Sequence, residues 1–153
     1  MRALGELRAK RFGLREVHVA DRIIFSLGQF RGQLAGKVAD DLLDYTEGQE
    51  MTGKPSGLDL KEHKVTLPLI AALREMSTAE RGRVELLFAT AEPEDDMIAD
   101  VVGIVRDRGG LEYARRRGDQ FARESEEALA ELPESPARAA LVDAIAYVVE
   151  RRW

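Results

Sequence analysis

The sequence contains no cysteine, which excludes disulfide bridges, thiolate metal sites and cysteine nucleophiles. Its two histidines, His18 and His63, are 45 positions apart and match no metal-ligand spacing. His63 is expected to face solvent. The longest apolar-leaning run, residues 65–73, is too short to span a bilayer and contains a proline. The N terminus lacks the apolar core of a signal peptide. We therefore expect a cytoplasmic protein without a transmembrane segment.

Alternating strand patterns and short repeats are also absent, and apolar residues recur at helical spacing along nearly the whole chain. Helices are expected over about 17–27, 33–45, 66–76, 78–90, 92–109, 111–132 and 135–151. Thr78 is the expected cap of the fourth helix, and the glycines and proline of residues 46–60 predict a loop. The fold class is therefore predicted to be all-α, with 153 residues allowing one compact core.

Charge changes sign along the chain. Residues 1–39 contain eight Lys and Arg against three Asp and Glu, whereas residues 40–153 contain fifteen against twenty-five. A basic N-terminal part can bind nucleic acid or a membrane surface. Here the basic residues are scattered and no aromatic ladder accompanies them, so we expect no nucleic-acid partner.

An acidic motif follows the change of charge, where residues 40–45 read DDLLDY. At about 100° per residue, its three aspartates fall within an arc of roughly 100°, opposite Leu34, Val38 and Leu42. We therefore expect all three on a helix face that is open rather than packed. Carboxylates this close repel one another, and Mg²⁺ is a cation that such oxygen ligands bind together with substrate phosphates. A solvated acidic face on an amphipathic helix is the alternative.

The segment after this motif reads GKPSGLDL at residues 53–60 and KVTLPL at residues 64–69. Together with DDLLDY it resembles the trans-prenyl diphosphate synthases of the polyprenyl synthetase family. The run GGLEYA at residues 109–114 is also similar to that family. The resemblance extends over residues 38–153 and implies the C-terminal half of an isoprenoid-synthase helical bundle. Residues 1–37 are then a divergent or truncated N-terminal segment.

The resemblance implies a site for a metal-bound diphosphate. The metal ligands for Mg²⁺ would be Asp40, Asp41 and Asp44. Lys54 and Lys64 would contact the substrate diphosphate, and Asp59 would support a metal-bound water or a lysine. The resemblance assigns no catalytic residue in this chain.

Two features depart from the family pattern. Family members are roughly twice this length and carry another aspartate-rich motif in their first half, and no such motif precedes Asp40. The family commonly has a Phe-Gln pair where this chain has Gly36 and Lys37. Lys37 lies three and four positions before Asp40 and Asp41, so its ammonium is expected to pair with these carboxylates and compete with a metal.

The leading hypothesis is a trans-prenyltransferase of isoprenoid biosynthesis that condenses isopentenyl diphosphate with an allylic diphosphate. This chain alone is expected to be an incomplete enzyme. The alternative is a non-catalytic helical subunit or remnant that associates with or regulates a full-length synthase. Half of a bundle leaves apolar helix faces uncovered, so we also expect self-association or binding to another synthase subunit.

Overall fold

The computed structural model describes residues 19–46 and 56–150, and these residues form seven α-helices and no β-strand. The helices are α1 (Val19–Thr46), α2 (Leu58–Lys61), α3 (Leu67–Leu73), α4 (Thr78–Ala89), α5 (Asp95–Asp107), α6 (Gly110–Ala130) and α7 (Pro136–Glu150). The predicted all-α class is confirmed. The first helix is one continuous element of 28 residues, so the prediction of two helices over 17–27 and 33–45 was wrong.

Packing against α6 explains why α1 is continuous although it contains glycines. The glycines allow α6 to approach closely. A Cβ at Gly28 would lie 3.2 Å from Leu129, and a Cβ at Gly32 would lie 3.3 Å from the Ser125 hydroxyl. That buried hydroxyl donates a hydrogen bond of 2.5 Å to the Gly28 carbonyl oxygen. Each helical glycine costs about 1 kcal/mol in propensity. Close packing against α6 offsets this cost, so the helix does not break.

The boundary predicted between residues 37 and 38 falls inside α1. Secondary structure therefore continues across it. The division of the chain into residues 1–37 and 38–153 stays a prediction, and residues 1–18 lie outside the described part of the chain.

The apolar core consists of two clusters in which α1 and α6 both take part. The larger cluster fills the space between α1, α3, α5 and the start of α6, with Leu42, Leu69, Val101 and Leu111 among its buried members. The smaller cluster joins the first half of α1 to α6 and α7 through Ala35, Ala122, Leu129 and Ile145. The larger cluster lies directly behind the acidic motif. The second half of α1 is thus fixed against the core at the point where the candidate site begins.

The remaining helix ends follow recognisable capping chemistry. Ser77 caps α4 in a capping box with Glu80, so the predicted cap at Thr78 was one residue late. Gly109, in the left-handed region at φ 70°, separates α5 from α6 as its sequence position predicted. The predicted loop over residues 46–60 contains the start of the short helix α2, and residues 47–55 lie outside the described part.

Candidate functional site

The acidic motif lies in the last two turns of α1, but its aspartates differ in exposure. Asp40 is exposed and Asp44 is half-buried, whereas Asp41 has only 5% of its surface accessible. The expectation that all three lie on an open face was therefore wrong for Asp41. The helical projection explains the difference, since Asp41 lies about 40° from Tyr45, which is itself buried.

Lys37 forms an ion pair with the buried aspartate. Its Nζ donates to Asp41 Oδ1 at 2.6 Å, one helical turn along α1. This hydrogen bond raises the pKa of Lys37 above its ordinary value, with a further contribution from the charge of Asp41. The predicted pairing of Lys37 with the acidic motif is confirmed for Asp41.

Asp44 connects the motif to the next segment through two backbone contacts. The Asp59 amide donates to Asp44 Oδ2 at 3.1 Å, and the Gly57 amide donates to the Asp44 carbonyl oxygen at 2.8 Å. The first turn of α2 has unsatisfied N–H groups, and its N-cap, Gly57, has no side chain to accept them. The Asp44 carboxylate supplies that acceptor from α1. Burial raises the pKa of Asp44, and the hydrogen bond from Asp59 opposes this rise.

The segment after α2 places a lysine beside these carboxylates. Lys64 Nζ lies 3.0 Å from Asp59 Oδ1 and 2.6 Å from Glu62 Oε2, and its backbone amide donates to the Asp59 carbonyl oxygen at 2.7 Å. Hydrogen bonds to Glu62 and Asp59 raise the pKa of Lys64, so it stays cationic at neutral pH. Asp59 thus contacts Lys64 through its side chain and Asp44 through its amide. Lys54 lies outside the described residues.

His63 holds this segment in place from the other side. His63 adopts a left-handed conformation at φ 55°, and its Nε2 lies 2.9 Å from the Thr90 carbonyl oxygen. Because that carbonyl accepts, Nε2 donates. His63 is half-buried and its ring packs against Phe88, so the expectation of a solvent-facing histidine was wrong. No local sequence signal reveals these contacts, because the partners lie 25 or more positions away.

Tyr45 adds a second attachment. Its hydroxyl lies 3.2 Å from Thr66 Oγ1 in a buried pair that joins α1 to the residue preceding α3. Burial is the main reason that the pKa of Tyr45 is raised, so the phenol stays neutral. The segment carrying Lys64 is therefore held to α1 at both ends, through Asp44 and through Tyr45.

The donor set can be tested against Mg²⁺. Among the residues that the structure describes, no three or more His, Cys, Asp or Glu side chains are grouped to hold a metal ion. Mg²⁺ is usually held by one or two carboxylates together with substrate phosphates and water, so a larger protein cluster is not required. Asp40 and Asp44 are one turn apart on the same helix face and supply oxygen donors of that kind. Donors of this type suit the ion, and at Asp41 a metal ion would meet the ammonium of Lys37.

No helix within residues 19–46 and 56–150 is long and apolar enough to cross a membrane.

Comparison with known proteins identifies the class to which this fold belongs. Residues 26–105 match the sequence model of the family described as polyprenyl synthetase. The chain belongs to the polyprenyl synthetase family.

Several characterised relatives share this part of the sequence. The chain is 35% identical over 127 residues to an all-trans-nonaprenyl-diphosphate synthase (geranyl-diphosphate specific) of Rhodobacter capsulatus, covering 82% of this chain and 38% of that protein. It is also 35% identical over 118 residues to a short chain isoprenyl diphosphate synthase of Methanothermobacter thermautotrophicus, covering 77% and 36%. A third relative, heptaprenyl diphosphate synthase component 2 of Geobacillus stearothermophilus, is 30% identical over 132 residues, covering 85% and 39%.

Solved structures show the same fold. A geranylgeranyl pyrophosphate synthase from Bacteroides thetaiotaomicron superposes with a TM-score of 0.78 at 29% identity, covering 88% of this chain and 44% of that one. A polyprenyl synthase from Caulobacter crescentus, complexed with calcium and isoprenyl diphosphate, gives a TM-score of 0.76 at 28% identity, covering 90% and 42%. The chain therefore spans about two fifths of the length of the proteins it matches.

Proposed function

We propose that this chain supplies the part of a polyprenyl diphosphate synthase that carries the second aspartate-rich motif. The enzyme would be a trans-prenyltransferase of isoprenoid biosynthesis acting on isopentenyl diphosphate and an allylic diphosphate. The observation that carries the proposal is the contact of Asp59 with both Asp44 and Lys64, since it brings the acidic motif and a cation to one place. A cytoplasmic location, which the sequence favoured, belongs to the same proposal.

In this reaction the bond between the allylic carbon and the diphosphate oxygen breaks, and its electron pair leaves with the diphosphate. The double bond of isopentenyl diphosphate attacks the allylic carbocation, and loss of a proton gives the longer allylic diphosphate. The leaving diphosphate gains negative charge as the bond breaks, so groups that already face it lower the barrier. Mg²⁺ held by Asp40 and Asp44 would supply Lewis-acid neutralisation of that charge.

The residues of this chain contribute binding and orientation. An ammonium group has three N–H donors, and Lys64 directs two of them to Asp59 and Glu62. The third is available to a phosphate oxygen. Asp59 restrains the Lys64 side chain, and Asp44 holds the backbone of α2 in register with α1. Lys54, from the GKPSG run, is proposed to contact the same diphosphate.

Binding of inorganic pyrophosphate, measured by isothermal titration calorimetry with and without Mg²⁺, tests this proposal. We expect weak, Mg²⁺-dependent binding that Lys64→Gln and Asp40→Ala reduce. Lys61→Gln is the matched control, because Lys61 pairs with Asp95 on the surface and carries the same charge. Failure of the parent chain to bind pyrophosphate at any Mg²⁺ concentration would contradict the proposal.

Condensation is tested separately with radiolabelled isopentenyl diphosphate, an allylic diphosphate and Mg²⁺. We expect little or no extension product from the isolated chain, because one acidic cluster and a few lysines offset the developing charge only in part. Abundant product would show that residues of this chain, or a second copy of it, supply every group the reaction needs.

A second candidate function is that of a helical subunit of a synthase. One relative bears the name heptaprenyl diphosphate synthase component 2. Apolar side chains also remain exposed, including Phe30 at 58% on α1 and Tyr147 at 62% on α7. Such surface favours association with a second copy or another synthase subunit. Light scattering at tens of micromolar tests association with a second copy, and a monodisperse monomer would count against that association.

A further inference from the structure

The Lys37–Asp41 pair occupies the centre of the acidic motif. Lys37 Nζ lies 2.6 Å from Asp41 Oδ1, and the Asp41 side chain is only 7% exposed. Burying a charged carboxylate costs free energy unless it is paired, and the ammonium supplies that partner. A metal ion that used the same oxygen would lie within a few ångströms of the Lys37 ammonium, and repulsion between the two cations would weaken its binding.

The position of Lys37 also keeps its charge within the candidate site. On the helical projection Lys37 falls between Asp44 and Asp41, about 20° from the first and 40° from the second. Its side chain is 67% exposed although its end contacts a buried group. The ammonium therefore has one N–H directed at Asp41 and two others that can reach solvent or a phosphate oxygen.

We propose that Lys37 is a built-in cation that takes the place of a metal ion at Asp41. This inference rests on the proposed function. The site then recruits metal only through Asp40 and Asp44. The site therefore binds a diphosphate with fewer metal ions than it would if all three aspartates could bind metal. Lys37 itself donates a hydrogen bond to the diphosphate.

The number of metal ions taken up with the ligand is measurable. The affinity for inorganic pyrophosphate is determined by calorimetry over a range of Mg²⁺ concentrations, and the slope of log K against log [Mg²⁺] gives the linked uptake. Binding of Mg²⁺ to free pyrophosphate is common to all variants and cancels in the comparison. We expect the slope for Lys37→Gln to exceed that of the parent chain by about one.

Two variants control for charge and for folding. Lys61→Gln removes the same charge from the surface pair with Asp95 and should keep the parent slope. Lys37→Arg keeps a cation beside Asp41 and should also keep it. Equal slopes for Lys37→Gln and the parent chain would overturn the inference while leaving the proposed function in place.

A second readout needs no pyrophosphate. In thermal denaturation, added Mg²⁺ should raise the melting temperature of Lys37→Gln more than that of the parent chain, because the ion can replace the lost partner of Asp41. An equal shift for both would overturn the inference even if the parent chain failed to bind pyrophosphate. That failure alone would instead contradict the proposed function, so the two results are distinguishable.

Discussion

The amide of Gly57 donates a 2.8 Å hydrogen bond to the carbonyl oxygen of Asp44, and this contact joins the start of α2 to the end of α1. Gly57 is in the left-handed region at φ 84° and is packed against α5. The same glycine therefore sets the direction of the chain, the distance of α2 from α5 and the contact with the acidic motif. The contribution of its packing can be separated from that of its backbone conformation.

Gly57→Ala should destabilise the fold more than Gly109→Ala. Both glycines have positive φ, so each substitution costs about 1–2 kcal/mol in backbone strain. A Cβ at Gly57 would also lie 2.6 Å from Ile98 Cγ2, whereas a Cβ at Gly109 meets nothing within 4 Å. Overpacking adds about 1–3 kcal/mol at Gly57 alone. Urea denaturation of both variants gives the difference, and equal losses would refute the packing argument.

Glu80→Gln should lower stability at neutral pH but not in strong acid. Glu80 Oε1 accepts from Arg108 Nη2 at 2.7 Å, and Glu80 Oε2 accepts from the Ser77 amide at 2.8 Å. These bonds, with Arg108 first, lower the pKa of Glu80 from 4.5 to about 2. A lowered carboxyl pKa stabilises the fold above pH 4.5, and this stabilisation is lost as the pH falls toward 2.

The melting temperature measured from pH 7 to pH 2 tests this dependence. The gap between the parent chain and Glu80→Gln should close across that acid range. Glu85→Gln, at an exposed position of the same helix, is the control and should show a much smaller gap at pH 7. A gap for Glu80→Gln that stayed constant with pH would mean that the ion pair is not its source.

His63→Ala should be less stable than His63→Gly. Both variants lose the hydrogen bond to Thr90, which contributes about 0.5–1.5 kcal/mol. Glycine adopts positive φ without steric cost, so His63→Gly also removes the strain at φ 55°, while alanine retains it. Chemical denaturation should therefore give a lower free energy of unfolding for His63→Ala than for His63→Gly. The reverse order for the two variants would show that His63 is not strained in the folded state.

Gly82→Ala should stabilise the protein, whereas Gly28→Ala should give no such gain. Both glycines lie inside helices, where alanine is favoured by about 1 kcal/mol. A Cβ at Gly82 meets nothing within 4 Å, but a Cβ at Gly28 lies 3.2 Å from Leu129. Thermal denaturation of the two variants compares propensity with packing directly. A similar increase in stability for both variants would mean that α6 shifts to accommodate the added methyl group at little cost.

The sequence predicted the fold class and the pairing of Lys37 because both depend on local spacing. Helical periodicity and the i,i+4 separation of Lys37 and Asp41 are visible without a structure. The burial of Asp41 was missed because Tyr45 was left out of the apolar stripe. Its phenol is buried with a hydrogen-bond partner, Thr66, that lies 21 positions away in the sequence.

The contacts that position Lys64 could not be predicted from the sequence for a similar reason. The capping of α2 by the Asp44 carboxylate joins residues 15 positions apart, and the His63 contact joins residues 27 positions apart. The continuity of α1 through Gly28 depends on Ser125, at a separation of 97 positions. Local propensity contains no information about such distant partners, and at Gly28 it indicates a break.

The contact between Gly28 and Ser125 sets the rotational phase of the acidic motif. Asp44 follows Gly28 by 16 residues, or about 24 Å along the same helix. Losing a single residue between them would turn everything beyond it by about 100°, and Tyr45 would arrive where the Asp44 carboxylate now meets the Asp59 amide. Along this stretch the chain can exchange one side chain for another, but it cannot change its length and still bring the acidic motif to Lys64.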